Sequence, residues 1–265
     1  IIGYEKTLGK WIPKDWARKE LTSFSKTEIY QVVFEKIDPA ISNHVRASVL
    51  KKIKKIFQMA VDEGLLSKNP AQGISVQVSQ NEQKVLNSEE AQKLLQAAKS
   101  SGHRFYPIFA MALFSGMRSG EMYALKWSDI DLEAGLIAVT KQWTSKDGVT
   151  NTKTRENRVV PISEDLRKLL LELKNQRGNQ SEFVLPHLRE WTNGEQAEVL
   201  REFCKVIGIT SIKFHDLRAT FITNMLSQGV PLVTVMSIVG HRKMATTDVY
   251  VRLAGVNVKG ATEKL

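Results

Sequence analysis

LIAVTKQWTSKDG, residues Leu136 to Gly148, is where the hydrophobic period of this chain changes from helical to strand-like. Ile137, Val139 and Trp143 alternate with more polar neighbours, the period of two that a half-buried strand requires. Lys146-Asp147-Gly148 supplies a hairpin turn. The change is confined to Trp127–Ser163, and a further strand over Asn157–Pro161 closes what reads as one small antiparallel sheet. After Glu164 the pattern is helical nearly to the end, broken at Arg177-Gly178, Asn193-Gly194, Gly208, Gly229 and Gly240. There is no internal repeat.

Upstream of the sheet the period is helical. An apolar helix over Pro107–Phe114 is expected to stop at Ser115-Gly116, and another begins at Asn87-Ser88-Glu89-Glu90, with Asn or Ser as cap and carboxylates in its first turn. From Asn69-Pro70 to Lys84 the chain turns polar and loses its period, which predicts a linker between domains. The clearest earlier helix spans Ser42–Glu63, with Val45, Val49, Leu50, Ile53, Ile56, Phe57, Ala60 and Val61 as one buried stripe and Gly64 placed to end it. The expected fold class is mainly α with a small antiparallel β-sheet: a helical domain over 1–80 and a mostly helical domain over 81–265.

At 100° per residue, Lys51 and Lys55 point away from that stripe, and Lys52 and Lys54 flank it. Four lysines on an outer face are equally the mark of a solvated surface. No acidic residue lies between Arg46 and Val61, which tilts the reading toward a face that follows phosphates. The whole chain agrees: its net charge is +10 and its pI about 9.6, values that suit a polyanionic partner. With 42% hydrophobic and 25% charged residues it reads as a globular protein. No apolar run approaches the roughly 20 residues that cross a bilayer, and no secretory signal is present. The one cysteine, Cys204, excludes an intrachain disulfide, fits a reducing cytoplasm and reads as a packed thiol. The chain opens at Ile1 rather than Met, as expected of a fragment.

Taken singly, the residues with chemistry have ordinary explanations. Arg118 can pair with Glu121, His215 and Arg218 share a helix face at i and i+3, His241 can cap a helix after Gly240, and Tyr250 between two valines can be a core aromatic. Together they are the groups needed for attack by a phenol on a phosphodiester. Guanidiniums match the two non-bridging oxygens of a phosphate. Presenting a phenolate at pH 7 costs about 4 kcal/mol, which a histidine lowers by taking the proton during attack. The departing sugar oxygen needs a proton, and a lysine can give it. Each well-placed charge-stabilising donor is worth roughly 2.7–4 kcal/mol, so this set supplies a catalytic effect without a metal. His44, His103 and His187 are isolated, no metal-ligand spacing occurs, and no phosphate-binding glycine loop implies ATP.

Four motifs in order then resemble the tyrosine recombinases, especially phage and conjugative-element integrases. Phe114–Glu121, continuing to Asp131, is similar to the family's first-arginine box. Thr152-Lys153-Thr154-Arg155 with Arg158–Ile162 is similar to its lysine hairpin. His215-Asp216-Leu217-Arg218-Ala219-Thr220 matches the His-x-x-Arg box, and Val239-Gly240-His241 with Thr246–Tyr250 matches the closing box. The N-terminal part, from Ala47 to Pro70, is similar to the family's core-binding domain. Gly120 and Ala219 depart from the bulkier residues common at those places.

The resemblance implies a helical core-binding domain followed by an α+β catalytic domain. It gives Arg118 and Arg218 the scissile phosphate, His215 the task of assisting Tyr250, Lys153 the leaving 5′ oxygen and His241 a hydrogen bond to the phosphate. Glu121 is implied to orient the arginine helix. The lysine is the least fixed of these, because Lys146, Arg155 and Arg158 share its hairpin. It further implies a 3′-phosphotyrosyl intermediate, no cofactor, double-stranded DNA with specific core sites, and a homotetramer on DNA that is a monomer or weak oligomer without it. No membrane is involved, and the setting is the cytoplasm of a bacterial or phage-infected cell. A one-strand-cutting topoisomerase and a non-catalytic DNA-binding accessory protein are the alternatives. The first would relax supercoils without site preference, and the second has no need of Tyr250.

Overall fold

The helix read from the Ser42–Glu63 stripe runs from Asn43 to Asp62 in the computed structural model, which describes residues 9–79, 83–151, 157–177, 181–241, 244 and 247–254. The chain divides into two compact units, Ile1–Glu82 and Gln83–Leu265. In the first, helix α1 (Lys26–Gln31) starts at Ser25, whose hydroxyl accepts from the Glu28 N–H, and continues into a π turn over Val32–Lys36. Helix α2 (Asn43–Asp62) lays Val49, Leu50, Ile53 and Phe57 against Ile29, Val33 and Ile37. The widened π turn leaves carbonyls for a side chain to satisfy. Arg46, buried on α2, donates to the Val33 carbonyl at 2.7 Å and the Asp38 carbonyl at 2.6 Å.

Two expectations need correction here. Ile56 does not belong to the buried stripe: it is 36% exposed, at the edge where the stripe meets solvent. The expected linker from Asn69 to Lys84 holds the boundary between the two units, after Glu82, but its first part packs on the first unit. Ala71 and Ile74 are buried in the unit's core, the Asn69 amide donates to the Lys54 carbonyl at 2.9 Å, and the Asn43 amide donates to the Gln77 carbonyl at 2.9 Å. Two small apolar residues in a polar run create no period, yet they suffice to seat the chain.

In the second unit, α3 (Ser88–Ser100) carries a capping box: the Glu90 N–H donates to Asn87 Oδ1 at 2.8 Å and the Asn87 N–H to Glu90 Oε2 at 3.1 Å. Helix α4 (Tyr106–Ser115) is apolar on nearly every face, as the central element of a core must be. It ends at Gly116, left-handed at φ 60°. There a Cβ would fall 2.2 Å from the Phe221 ring, so only glycine fits. Helix α5 (Ser119–Ala124) follows at once.

The strands form two sheets rather than the expected one. β1 (Ile130–Asp131), β2 (Leu136–Val139) and β5 (Arg158–Pro161) make an antiparallel sheet in the order β1-β2-β5, with Ile137 opposite Val160 and Val139 opposite Arg158. Among the described residues β3 (Lys141–Thr144) and β4 (Gly148–Asn151) pair only with each other. The place beside β2 that β3 would need is taken by β5, and Trp143 instead stacks on Tyr123 of α5 with ring centroids 4.3 Å apart. Helices α6 (Glu164–Arg177), α7 (Arg189–Thr192), α8 (Gln196–Val206), α9 (Phe214–Ser227), α10 (Leu232–Val239) and α11 (Asp248–Leu253) complete the unit. Cys204 lies in the core, where burial pushes its thiol up.

Candidate active site

Three consecutive carbonyls at the end of α10 organise the site, and each holds a different arginine. Arg158 Nε donates to the Ile238 carbonyl at 2.8 Å, Arg218 Nη2 to that of Val239 at 2.6 Å, and Arg118 Nη2 to that of Gly240 at 3.2 Å. The last carbonyls of a helix lack intrahelical partners and carry the negative end of its dipole, so cations collect there. Gly240 makes the row possible by turning left-handed at φ 69°.

Each arginine arrives from a different element. Arg118 precedes α5, where its N–H donates to Glu121 Oε2 at 2.8 Å and its Nη1 to Oε1 at 2.9 Å. Arg158 leaves β5 and grips the same carboxylate at both oxygens, at 2.9 and 2.6 Å. Arg218 lies buried on α9, with Nη1 donating to the Gly116 carbonyl at 2.6 Å, which ties α4's end to α10's. Its Nε is buried with no hydrogen-bond partner among the described residues. The start of α9 is fixed by Asp216, which accepts from the Lys213 N–H at 2.7 Å.

Charge is out of balance. Among the described residues three guanidiniums and two carboxylates, Glu121 and Asp216, share the site, so positive charge exceeds negative by one. Burial pushes the Glu121 carboxyl up, but Arg158 and Arg118 outweigh it and hold it below the usual carboxylate value. Burial and the neighbouring Arg118 push the Arg218 guanidinium down to about 9, still charged at neutral pH. Burial, then Arg218 and Arg118, lowers His215, and the same causes lower His241 to about 4. Both imidazoles are therefore neutral at pH 7, and each can accept a proton as well as donate one.

Tyr250 sits on α11 in the apolar layer formed by Ala219, Ile222, Leu226, Val235 and Val239, and is 7% exposed. Burial raises its phenol against the pull of Arg218. Its ring stacks with that of His241 at 6.2 Å, and His241 Nδ1 is 3.2 Å from Thr247 Oγ1. A cavity of about 290 Å³ opens at His215 and Arg218, lined also by Ser119 and Lys213 among others.

The structure thus brings Arg118, Glu121, His215, Arg218, His241 and Tyr250 into one electrostatically connected set. Lys153 and Arg155 lie outside the described residues. Lys146 is exposed beside Asp147, and Arg158 is committed to Glu121. Lys51 and Lys55 are exposed on α2 of the first unit, and Lys52 and Lys54 half-buried. Sequence reasoning missed Arg158 as part of the site. Its signal was the period of two in β5, which places Arg158 on the same face as buried Val160 and opposite buried Val139. It also missed the carbonyl row, which leaves no mark on side-chain pattern. Among the described residues no group of three His, Cys, Asp or Glu could hold a metal.

Residues 84–255 match the model of the phage integrase family. The chain is 30% identical over 249 residues to a XerC-like tyrosine recombinase of Caldanaerobacter subterraneus, a match covering 80% of this chain and 63% of that one. It is 27% identical to the ICEBs1 integrase of Bacillus subtilis, over 97% of this chain and 75% of the relative. The chain therefore spans less than two thirds of the XerC-like protein. In fold it is similar to the Tn1549 transposon integrase, solved in complex with circular intermediate DNA, with a TM-score of 0.82 at 16% identity over 99% of this chain and 92% of the other.

Proposed function

The chain belongs to the phage integrase family, and from that premise we propose that it is a site-specific DNA recombinase of the integrase type, with Tyr250 as its nucleophile. The observation that carries the reading is the convergence of Arg118, Arg158 and Arg218 on one row of carbonyls, with Arg218 acting directly on the buried Tyr250. A phosphodiester brings one negative charge and gains more as it is attacked, and the guanidiniums are already oriented by carbonyls and Glu121 before it arrives.

In the proposed reaction Tyr250 Oη bonds to phosphorus and the bond from phosphorus to the 5′ oxygen breaks. The phenol is pushed above its ordinary value, so a free phenolate is scarce and its proton must leave during attack. Neutral His215 takes that proton. Arg118 and Arg218 hold the non-bridging oxygens, His241 donates a hydrogen bond to the phosphate, and Lys153 protonates the 5′ oxygen. The 3′-phosphotyrosyl bond keeps the phosphodiester energy, so a 5′-hydroxyl from a second duplex reverses the step with no cofactor consumed. Two such cuts and ligations pass through a four-way junction, which requires four protomers on two double-stranded core sites. Residues 1–80 serve as the core-type DNA-binding domain, with Lys51, Lys52, Lys54 and Lys55 along the backbone, and 81–265 as the catalytic domain. Among the described residues no helix is long and apolar enough to cross a membrane.

The test is covalent capture. The full chain is incubated with nicked duplexes carrying a randomised core, and denaturing gels are read for a protein–DNA adduct. Wild type should form one with a restricted set of sequences, and Tyr250→Phe none. An adduct with Tyr250→Phe removes the nucleophile from the proposal. Adducts with no sequence restriction, together with relaxation of supercoiled plasmid, favour a topoisomerase instead.

A further inference from the structure

We propose that Arg158 is a positioning residue for the reaction: it sets the direction of Glu121 and the end of α10 so that Arg118, Arg218 and His241 meet one phosphate. This rests on the strand-exchange reading above. Arg158 is poorly placed to touch DNA itself because each of its side-chain nitrogens is already engaged, whereas Arg218, though more deeply buried, keeps an Nε with no partner among the described residues. Three of its nitrogens donate to protein groups: Nη1 and Nη2 to the two Glu121 oxygens, and Nε to the Ile238 carbonyl.

Those two partners govern the rest of the site. Both Glu121 oxygens that Arg158 holds also receive Arg118, one from its backbone N–H and the other from its guanidinium. The Ile238 carbonyl begins the row whose next two members hold Arg218 and Arg118, and His241 follows that row directly. Packing makes the placement specific, because a Cβ on Gly240 would fall 3.0 Å from Arg158 Cδ. A planar fork can span a carboxylate and a carbonyl at once, whereas an ammonium cannot. Loss of the fork leaves a buried carboxylate with Arg118 as its remaining close partner. Arg118 is then drawn toward Glu121 and away from the phosphate.

The experiment compares Arg158→Met and Arg158→Lys with wild type in the full chain, on a core site recovered by covalent capture. Its readouts are DNA affinity by fluorescence anisotropy, the cleavage rate constant at saturating DNA, and the pH profile of that rate. Folding is checked by circular dichroism. Arg158→Met should bind DNA within about threefold of wild type and cleave roughly 10- to 100-fold more slowly, the scale of a misplaced reacting group. An acid limb from Glu121, distinct from that of His215, should lie at higher pH than in wild type. The groups facing Glu121 are Arg118 on its own helix, Arg158 on β5 and, farther off, Arg218 on α9, so removing Arg158 lets burial raise the carboxyl. Arg158→Lys should recover part of the rate. Adding Glu121→Gln to Arg158→Met should cost little more, because the two act as one unit.

If Arg158→Met does not fold, Arg158→Lys alone decides, with a three- to tenfold slower cleavage at unchanged affinity expected. Wild-type rate and acid limb in the folded variants would overturn the inference, and so would a loss confined to affinity. The recombinase reading fails separately, if wild type forms no adduct or Tyr250→Phe still does.

Discussion

The lysine face of α2 and the arginine row at the end of α10 are both basic, and they are built in opposite ways. Lys51 and Lys55 stand exposed on one helix, four residues apart, and depend on nothing except that helix. Arg118, Arg158 and Arg218 come from the start of α5, from β5 and from α9, and all three touch the row Ile238–Gly240. Exposed charge acts through number and distance and is screened by salt. Buried charge acts through orientation, and each group depends on the others being present. The contrast predicts additive, salt-dependent losses in one region and large, non-additive losses in the other.

The largest expected effect is at Arg218. Arg218→Ala removes a charge-stabilising donor and strands the Gly116 and Val239 carbonyls, so cleavage at saturating DNA should fall about 10²–10³-fold. Adding Arg118→Ala should cost far less than its single effect implies, measured as a double-mutant cycle on adduct formation. Additivity there would mean that the two arginines work independently and would erase the contrast. Next in size is Gly116→Ala, which forces a Cβ onto the Phe221 ring at a left-handed backbone. Denaturant melts should show a loss of roughly 1–3 kcal/mol, the usual range for overpacking. A neutral result would show that Phe221 moves freely and that the Arg218 anchor at Gly116 is not rigid.

How much of this was legible in the sequence follows the same division. The lysine face required only the helical period, and the centre of the stripe opposite it was read correctly, whereas Val45 and Val61 are only half-buried and Ile56 is exposed. The boxes around Arg118, His215, Arg218 and Tyr250 were legible because each lies within a few residues of a recognisable pattern. Arg158 was not: its partners Glu121 and Ile238 are 37 and 80 positions away. Ala71 and Ile74 were hidden for a related reason, being too few to set a period though fully buried. The sheet count was missed because strand order, not strand content, separates β3-β4 from β1-β2-β5. Local pattern reports elements and motifs, whereas the interactions that orient them are long-range and carried partly by backbone carbonyls.

A smaller effect concerns pH. Burial together with Arg218 and Arg118 favours neutral His215, so its value lies below the ordinary 6.5. The base form predominates at pH 7 and is lost as pH falls through the lowered value. The acid limb of the cleavage rate should therefore lie below pH 6.5, and Arg118→Ala should shift it upward by removing one of the charges that lower it. A downward shift in that variant would mean that His215 is not the group titrating.

The smallest effect separates the two regions most cleanly. Lys51→Ala with Lys55→Ala should weaken DNA binding and reduce the slope of log affinity against log salt by about one unit for each phosphate left without its lysine. It should leave the cleavage rate at saturating DNA unchanged, because neither side chain belongs to the set around Tyr250. Each lysine is exposed, so removing it opens no cavity and strands no buried partner, and the melting temperature should hold. The two single variants should add, in contrast to Arg118 and Arg218. A slope that stays at the wild-type value would return the lysines to the role of a solvated surface. A fall in the saturating rate would mean that α2 helps to orient the reacting phosphate, so that the exposed face and the buried row share one task.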